Sequence, residues 1–115
     1  MAIKRVNAGP RMSGAVVHGD TVYVAGQVAD TSGADVTTQT KEVLAKIDTL
    51  LKGAGTDKSK LLSATIYITD MKTFGDMNKV WDGWVSAGNT PARATVEAKL
   101  ASPQYNVEIM VVAAK

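Results

Sequence analysis

Over residues 91–112 the chain runs twice through a strict alternation of side chains, and a period of two admits only extended backbone. In residues 91–100, Arg93, Thr95, Glu97 and Lys99 point one way while Ala94, Val96, Ala98 and Leu100 point the other. In residues 106–112, Val107, Ile109 and Val111 share one face, with Glu108, Met110 and Val112 opposite. Two strands in succession are therefore predicted. Were they to pair, Arg93 and Glu108 would share a face of the sheet.

Upstream the period changes repeatedly. Residues 2–6 read as a short edge strand broken by Asn7-Ala8-Gly9-Pro10. Ala15-Val16-Val17-His18 and Thr21-Val22-Tyr23-Val24-Ala25 flank Gly19-Asp20, a hairpin signature. Gly26 ends the second run, and residues 27–33 form a loop with Ser32-Gly33 as turn material. Capped by Asp35 or Thr37, residues up to about Ala54 carry Val36, Val43, Ile47, Leu50, Leu51 and Ala54 at three- and four-residue steps. That spacing predicts an amphipathic helix, stopped by Gly53 and Gly55. Residues 61–69 predict a strand with Leu62, Ala64, Ile66 and Ile68 on one face and Ser63, Thr65, Tyr67 and Thr69 on the other. Asp70 can cap a second helix whose apolar stripe holds Phe74, Met77, Trp81, Trp84 and Val85, ended by Gly88.

The order hairpin, helix, strand, helix, strand, strand implies an α+β fold with both helices on one sheet face. No linker, repeat or low-complexity stretch interrupts residues 1–115, so a single domain is expected. The other face would carry Tyr23, Thr65, Tyr67, Arg93, Thr95 and Glu108 beside Met110 and Val112. Such a face is too polar for a closed core and too apolar for open water. Burial against further copies of the chain is the expected resolution.

Composition narrows the chemistry. In a chain of 115 residues, 45% hydrophobic content suffices for a core. A formal net charge of +2, with no basic run, argues against nucleic acid and against an acidic membrane surface. The absence of cysteine excludes disulfides, thiolate nucleophiles and cysteine-ligated metals. The single histidine, His18, adjoins the hairpin turn and reads as a surface residue. The N-terminus lacks an apolar signal core and nowhere do 18 apolar residues run together, so a cytoplasmic location is expected.

Two residues carry the candidate chemistry. The Arg93 guanidinium can grip a carboxylate through two parallel hydrogen bonds, which lysine cannot reproduce. A salt bridge to Glu97 or Glu108 is its plainer account. Glu108 lies in an otherwise apolar strand, where burial favours the protonated carboxyl and suits it to proton transfer. An edge-facing or paired glutamate is the plainer account there. Turn geometry accounts for Gly9-Pro10 and Gly26-Gln27, and core packing for Trp81 and Trp84. Gly53-Ala54-Gly55 follows a helix rather than a strand, so it reads as a stop and not a phosphate loop.

Pro91-Ala92-Arg93-Ala94-Thr95-Val96-Glu97, Val107-Glu108-Ile109, Gly9-Pro10, Gly26-Gln27, Thr69-Asp70-Met71 and the spacing of Phe74 from Asn78 resemble the Rid/YjgF/UK114 family of imine deaminases. The resemblance extends over essentially the whole chain. Val80-Trp81-Asp82-Gly83-Trp84-Val85 and Asn106-Val107-Glu108-Ile109 are most similar to a divergent, YoaB-like bacterial branch. The resemblance implies a chorismate-mutase-like (ferredoxin-like) mixed sheet, assembled as a homotrimeric barrel with sites at subunit clefts. It also implies hydrolysis of reactive 2-imino and 2-enamino acids to 2-keto acids and ammonia, without metal or organic cofactor. Arg93 matches the family's substrate-carboxylate arginine, Glu108 its water-orienting glutamate, and Thr95 the position whose main chain helps place substrate. Gly26, Ala25 and Met12 match its substrate-lining positions. Ala25 stands where the family usually has serine and Met12 where it usually has an aromatic residue, which puts the choice of substrate in question. A second class of function stays open, a protein binding small carboxylates, or other partners, on the same trimer without turnover.

Overall fold

The computed structural model describes residues 1–31 and 33–115, and Ser32, expected as turn material, lies outside them. Six strands and two α-helices follow in the order β1 (Ile3–Val6), β2 (Ala15–His18), β3 (Thr21–Gln27), α1 (Val36–Gly53), β4 (Leu61–Ile68), α2 (Phe74–Trp84), β5 (Ala92–Glu97) and β6 (Val107–Ala114). They form one mixed sheet in the order β1-β2-β3-β6-β4-β5. Only β4 and β5 run parallel; every other neighbouring pair is antiparallel. The α+β architecture with helices on one face is as expected.

The two consecutive strands at the C-terminus do not pair. β6 inserts between β3 and β4, and β5 lies beyond β4 at the edge. The reason is the β4–α2–β5 crossover, which lays β5 parallel to β4 and leaves β6 to return into the middle of the sheet. A central position also suits the composition of β6, where Val107, Ile109, Val111 and Ala113 are all buried. β5 carries Arg93 and Glu97 and suits an exposed edge.

The core lies between sheet and helices. Val17, Val22, Val24, Ile66, Ile68, Ile109 and Val111 from the strands meet Val43, Leu44, Ile47 and Leu51 of α1 and Met77 and Trp81 of α2. Asp35 caps α1, accepting from Thr38 N at 2.8 Å. Gly55, at φ +86°, makes the left-handed stop, whereas Gly53 is still helical. Asp70 caps a 3₁₀ turn, Met71–Thr73, which leads into α2, and α2 ends at Trp84, before Gly88. In β4 the expected faces hold from Ser63 onward, but Leu62 is an extra residue at a register shift between Leu61 and Ser63. The bulge turns Leu61 into the core and leaves Leu62 51% exposed.

Gln39 was not read from the sequence as a core residue, yet its side chain is fully buried in the first turn of α1. Its amide donates to Gln104 O and accepts from Asn106 N, both at 2.8 Å. Asn106 Nδ2 in turn donates to Ala34 O at 2.8 Å. These bonds pin the loop of residues 98–106 to the helix layer and set where β6 begins. Glu108 is the second residue of that strand.

Candidate functional site

The register places Glu108 beside Tyr67, and Tyr67 beside Val96. Aligned residues share a face, so Glu108, Tyr67 and Val96 lie on the face away from the helices, with Thr65, Met110, Val112, Tyr23 and Ala94. Arg93 aligns with Ala64 and Thr95 with Ile66, both buried against the helices. Arg93 and Thr95 therefore belong to the helix face, not to the open face where sequence placed them. Arg93 and Glu108 sit two strands and three residues apart, roughly 10 Å in each direction, on opposite faces. One protomer cannot bring them to one substrate.

Around Glu108 the geometry is close. The register of β3 against β6 shifts between Val24 and Gln27, so Ala25 and Gly26 together face Met110. A Cβ on Gly26 would collide with the Glu108 carboxylate. Gly26 thus sits at a close approach across the sheet, a contact beyond the turn its residue type suggested and the substrate-lining position the resemblance gave it. Ala25 N donates to Gly14 O at 2.9 Å, and Met12, 57% exposed, lies two residues before Gly14 in the loop that follows β1. Met12, Ala25, Gly26 and Glu108 are gathered at one end of the sheet. Beside Glu108, a pocket of about 280 Å³ is lined by Tyr67, Met110 and residues 98–101, including Lys99 and Leu100.

Arg93 has a different setting. Its guanidinium carbon stands 5.3 Å from the centre of the Trp81 ring and 5.9 Å from that of Phe74. Those rings share one stripe of α2 with Asn78, which lies four residues after Phe74 and three before Trp81. Stacking of this kind holds the fork in place while leaving its donors free. Arg93 makes no salt bridge with Glu97 or Glu108; the only ion pair among the described residues joins Lys46 to Asp30. Glu97 instead accepts from Met71 N at 2.8 Å and ties β5 to the start of the second helical segment. Thr95 Oγ1 and Asn78 Oδ1 are both buried without a hydrogen-bond partner. Asn78 entered the sequence reading only through its spacing from Phe74, which was the available signal. Among the described residues, no three or more His, Cys, Asp or Glu side chains are grouped to hold a metal.

Residues 2–115 match the family model described as endoribonuclease L-PSP. The chain is 46% identical to the RutC family protein YoaB of Escherichia coli K12 over 114 residues, covering 99% of each chain. A RutC family protein of Haemophilus influenzae is 45% identical, with 98% of each covered. The chain belongs to the Rid/YjgF family. Within it, the YoaB-like branch foreseen from residues 80–85 and 106–109 is the one it joins. Among solved structures, a YjgF family member from Neisseria meningitidis superposes with a TM-score of 0.97 at 45% identity, covering 100% of this chain and 96% of that one. The mixed six-stranded sheet with two helices is thus the architecture of a Rid/YjgF protein. No described helix is long and apolar enough to cross a membrane.

Proposed function

We propose that the protein is a 2-imino/2-enamino acid deaminase whose sites form between subunits of a homotrimer. The observation that carries the reading is the division of the site residues: Arg93 is poised at one edge and Glu108 in a pocket on the other sheet face. A site using both needs a second copy, and the open face supplies the means. Tyr23, Met110 and Val96 on that face are each more than 40% exposed, an apolar area suited to burial against another subunit. Family membership and the match at Pro91–Glu97 and Val107–Ile109 support the same reaction.

In the proposed mechanism Arg93 fixes the substrate carboxylate by its two-pronged fork, which removes much of the entropic cost of alignment. The Thr95 main chain helps place the substrate, and the Trp81 and Phe74 rings beside Arg93 hold its fork. Glu108 of the neighbouring copy orients water and accepts a proton as the oxygen adds to the C=N carbon. The proton passes to the amine nitrogen, the C–N bond breaks, and a 2-keto acid and ammonia leave. The imine is electrophilic enough that this route calls on neither metal nor organic cofactor. Met12 and Ala25 border the Glu108 end and would shape which side chain fits.

The second reading keeps the clefts and drops the turnover, and Ala25 and Met12 favour it because each departs from the usual residue. An assay separates the two. An amino-acid oxidase generates imine, and semicarbazide traps what survives. Faster loss of trappable imine with the protein present is the expected result; carboxylate binding without acceleration would leave only the scaffold reading. Glu108→Gln should lower turnover severely with the assembly intact, and unchanged turnover would remove Glu108 from the mechanism.

A further inference from the structure

Away from the open face, the helix layer holds a cavity of about 380 Å³ lined by Lys41, Leu44, Lys58, Lys79, Val80, Gly83 and Trp84. Its three lysines come from α1, from the 3₁₀ turn Lys58–Lys60 and from α2, so no local sequence run announced them. None is ion-paired, since the only salt bridge among the described residues is Lys46–Asp30. Lys58 places its ammonium 5.2 Å from the centre of the Trp84 ring, and Trp84 Nε1 donates to Asp48 at 2.9 Å. Both the face and the donor of that indole are therefore engaged. The Asp35 carboxyl, held below the usual range chiefly by hydrogen bonds from Thr38, also feels the charge of Lys41. No carboxylate side chain lines the cavity itself.

Three lysines, none of them ion-paired, line one open concavity over Leu44 and Val80, and their like charges repel one another. An anion bearing two or more charges relieves that repulsion and satisfies donors from three directions. The volume suits a di- or triphosphate group rather than an extended polymer. We propose that this groove binds a small polyanion of phosphate type, free or carried on a nucleotide, at a site separate from Arg93 and Glu108.

Inorganic tripolyphosphate and adenosine triphosphate, titrated at physiological salt and followed by calorimetry and by tryptophan fluorescence, test the assignment. Trp84 borders the groove and contacts Trp81, whose ring lies under Arg93, so fluorescence alone would not tell the two sites apart. Saturable binding of one anion per chain is expected. The triple variant Lys41→Gln, Lys58→Gln, Lys79→Gln should weaken it at least ten-fold, with circular dichroism unchanged. The matching triple Lys→Arg variant should keep it within a few-fold, and Arg93→Ala should leave it unaltered. Equal affinity for the two probes would identify the phosphates as the whole determinant; tighter binding of the nucleotide would add its base and sugar. No saturable binding at millimolar concentrations, or binding lost in Arg93→Ala and kept in the triple Gln variant, would overturn the proposal.

Discussion

Gly26 and Glu108 constrain each other most directly, because the space a side chain would need at position 26 is filled by the Glu108 carboxylate. Gly26→Ala should therefore displace that carboxylate and cut imine turnover at least ten-fold, with circular dichroism close to wild type. Arg93→Lys retains a cation beside Trp81 but loses the planar fork, so KM for the imino acid should rise about ten-fold, more than kcat falls. A kcat loss at unchanged KM would place Arg93 elsewhere in the reaction. At this scale the sequence was partly legible. It identified Arg93 and Glu108 as unusual charges, but neither the Gly26 collision nor the stacking of Arg93 is visible without the register. Close approaches between residues 82 positions apart leave no periodic trace.

Helices and strands emerged well from hydrophobic period, since each element carries its own pattern. Val36, Val43, Ile47, Leu50, Leu51 and Ala54 are all buried as their spacing required. Strand order was the failure. β5 and β6 are adjacent in sequence and each alternates cleanly, yet β4 separates them, and alternation says nothing of which strand lies alongside. The error moved Arg93 and Thr95 onto the wrong face. Gln39 was missed because a polar residue at the start of a helix normally meets water. Gln39→Ala would leave the main-chain groups of Gln104 and Asn106 unpartnered, at a cost of about 2 kcal/mol or more. Urea denaturation would measure it. Cap chemistry at Asp35 gives a pH signature. Hydrogen bonds from Thr38 chiefly hold the Asp35 carboxyl below the ordinary aspartate range. A depressed carboxyl stabilises the fold above its unfolded value, and the contribution fades as pH falls through the folded one. The melting temperature of Asp35→Ala should thus lie below wild type at pH 7, and the gap should narrow below about pH 4.

Taken as a whole, the molecule has one sheet face sealed by α1 and α2 and another that carries Tyr23, Tyr67, Val96, Glu108 and Met110. The mixed character of that open face was legible in the sequence, although two of its supposed members belong behind the sheet. Val96→Glu, at 42% exposure in the protomer, should break the assembly and abolish turnover together. Sedimentation and the imine assay would follow both. The central claim is that Arg93 and Glu108 act from different copies, and mixing two inactive variants tests it most directly. Arg93→Ala and Glu108→Gln proteins are co-refolded in equal amounts, and formation of mixed trimers is verified. A clamp from one copy and a carboxylate from the next restores about a quarter of the sites under random assembly, so about a quarter of wild-type turnover should return. Mixed trimers with no recovered turnover would contradict a site shared between subunits.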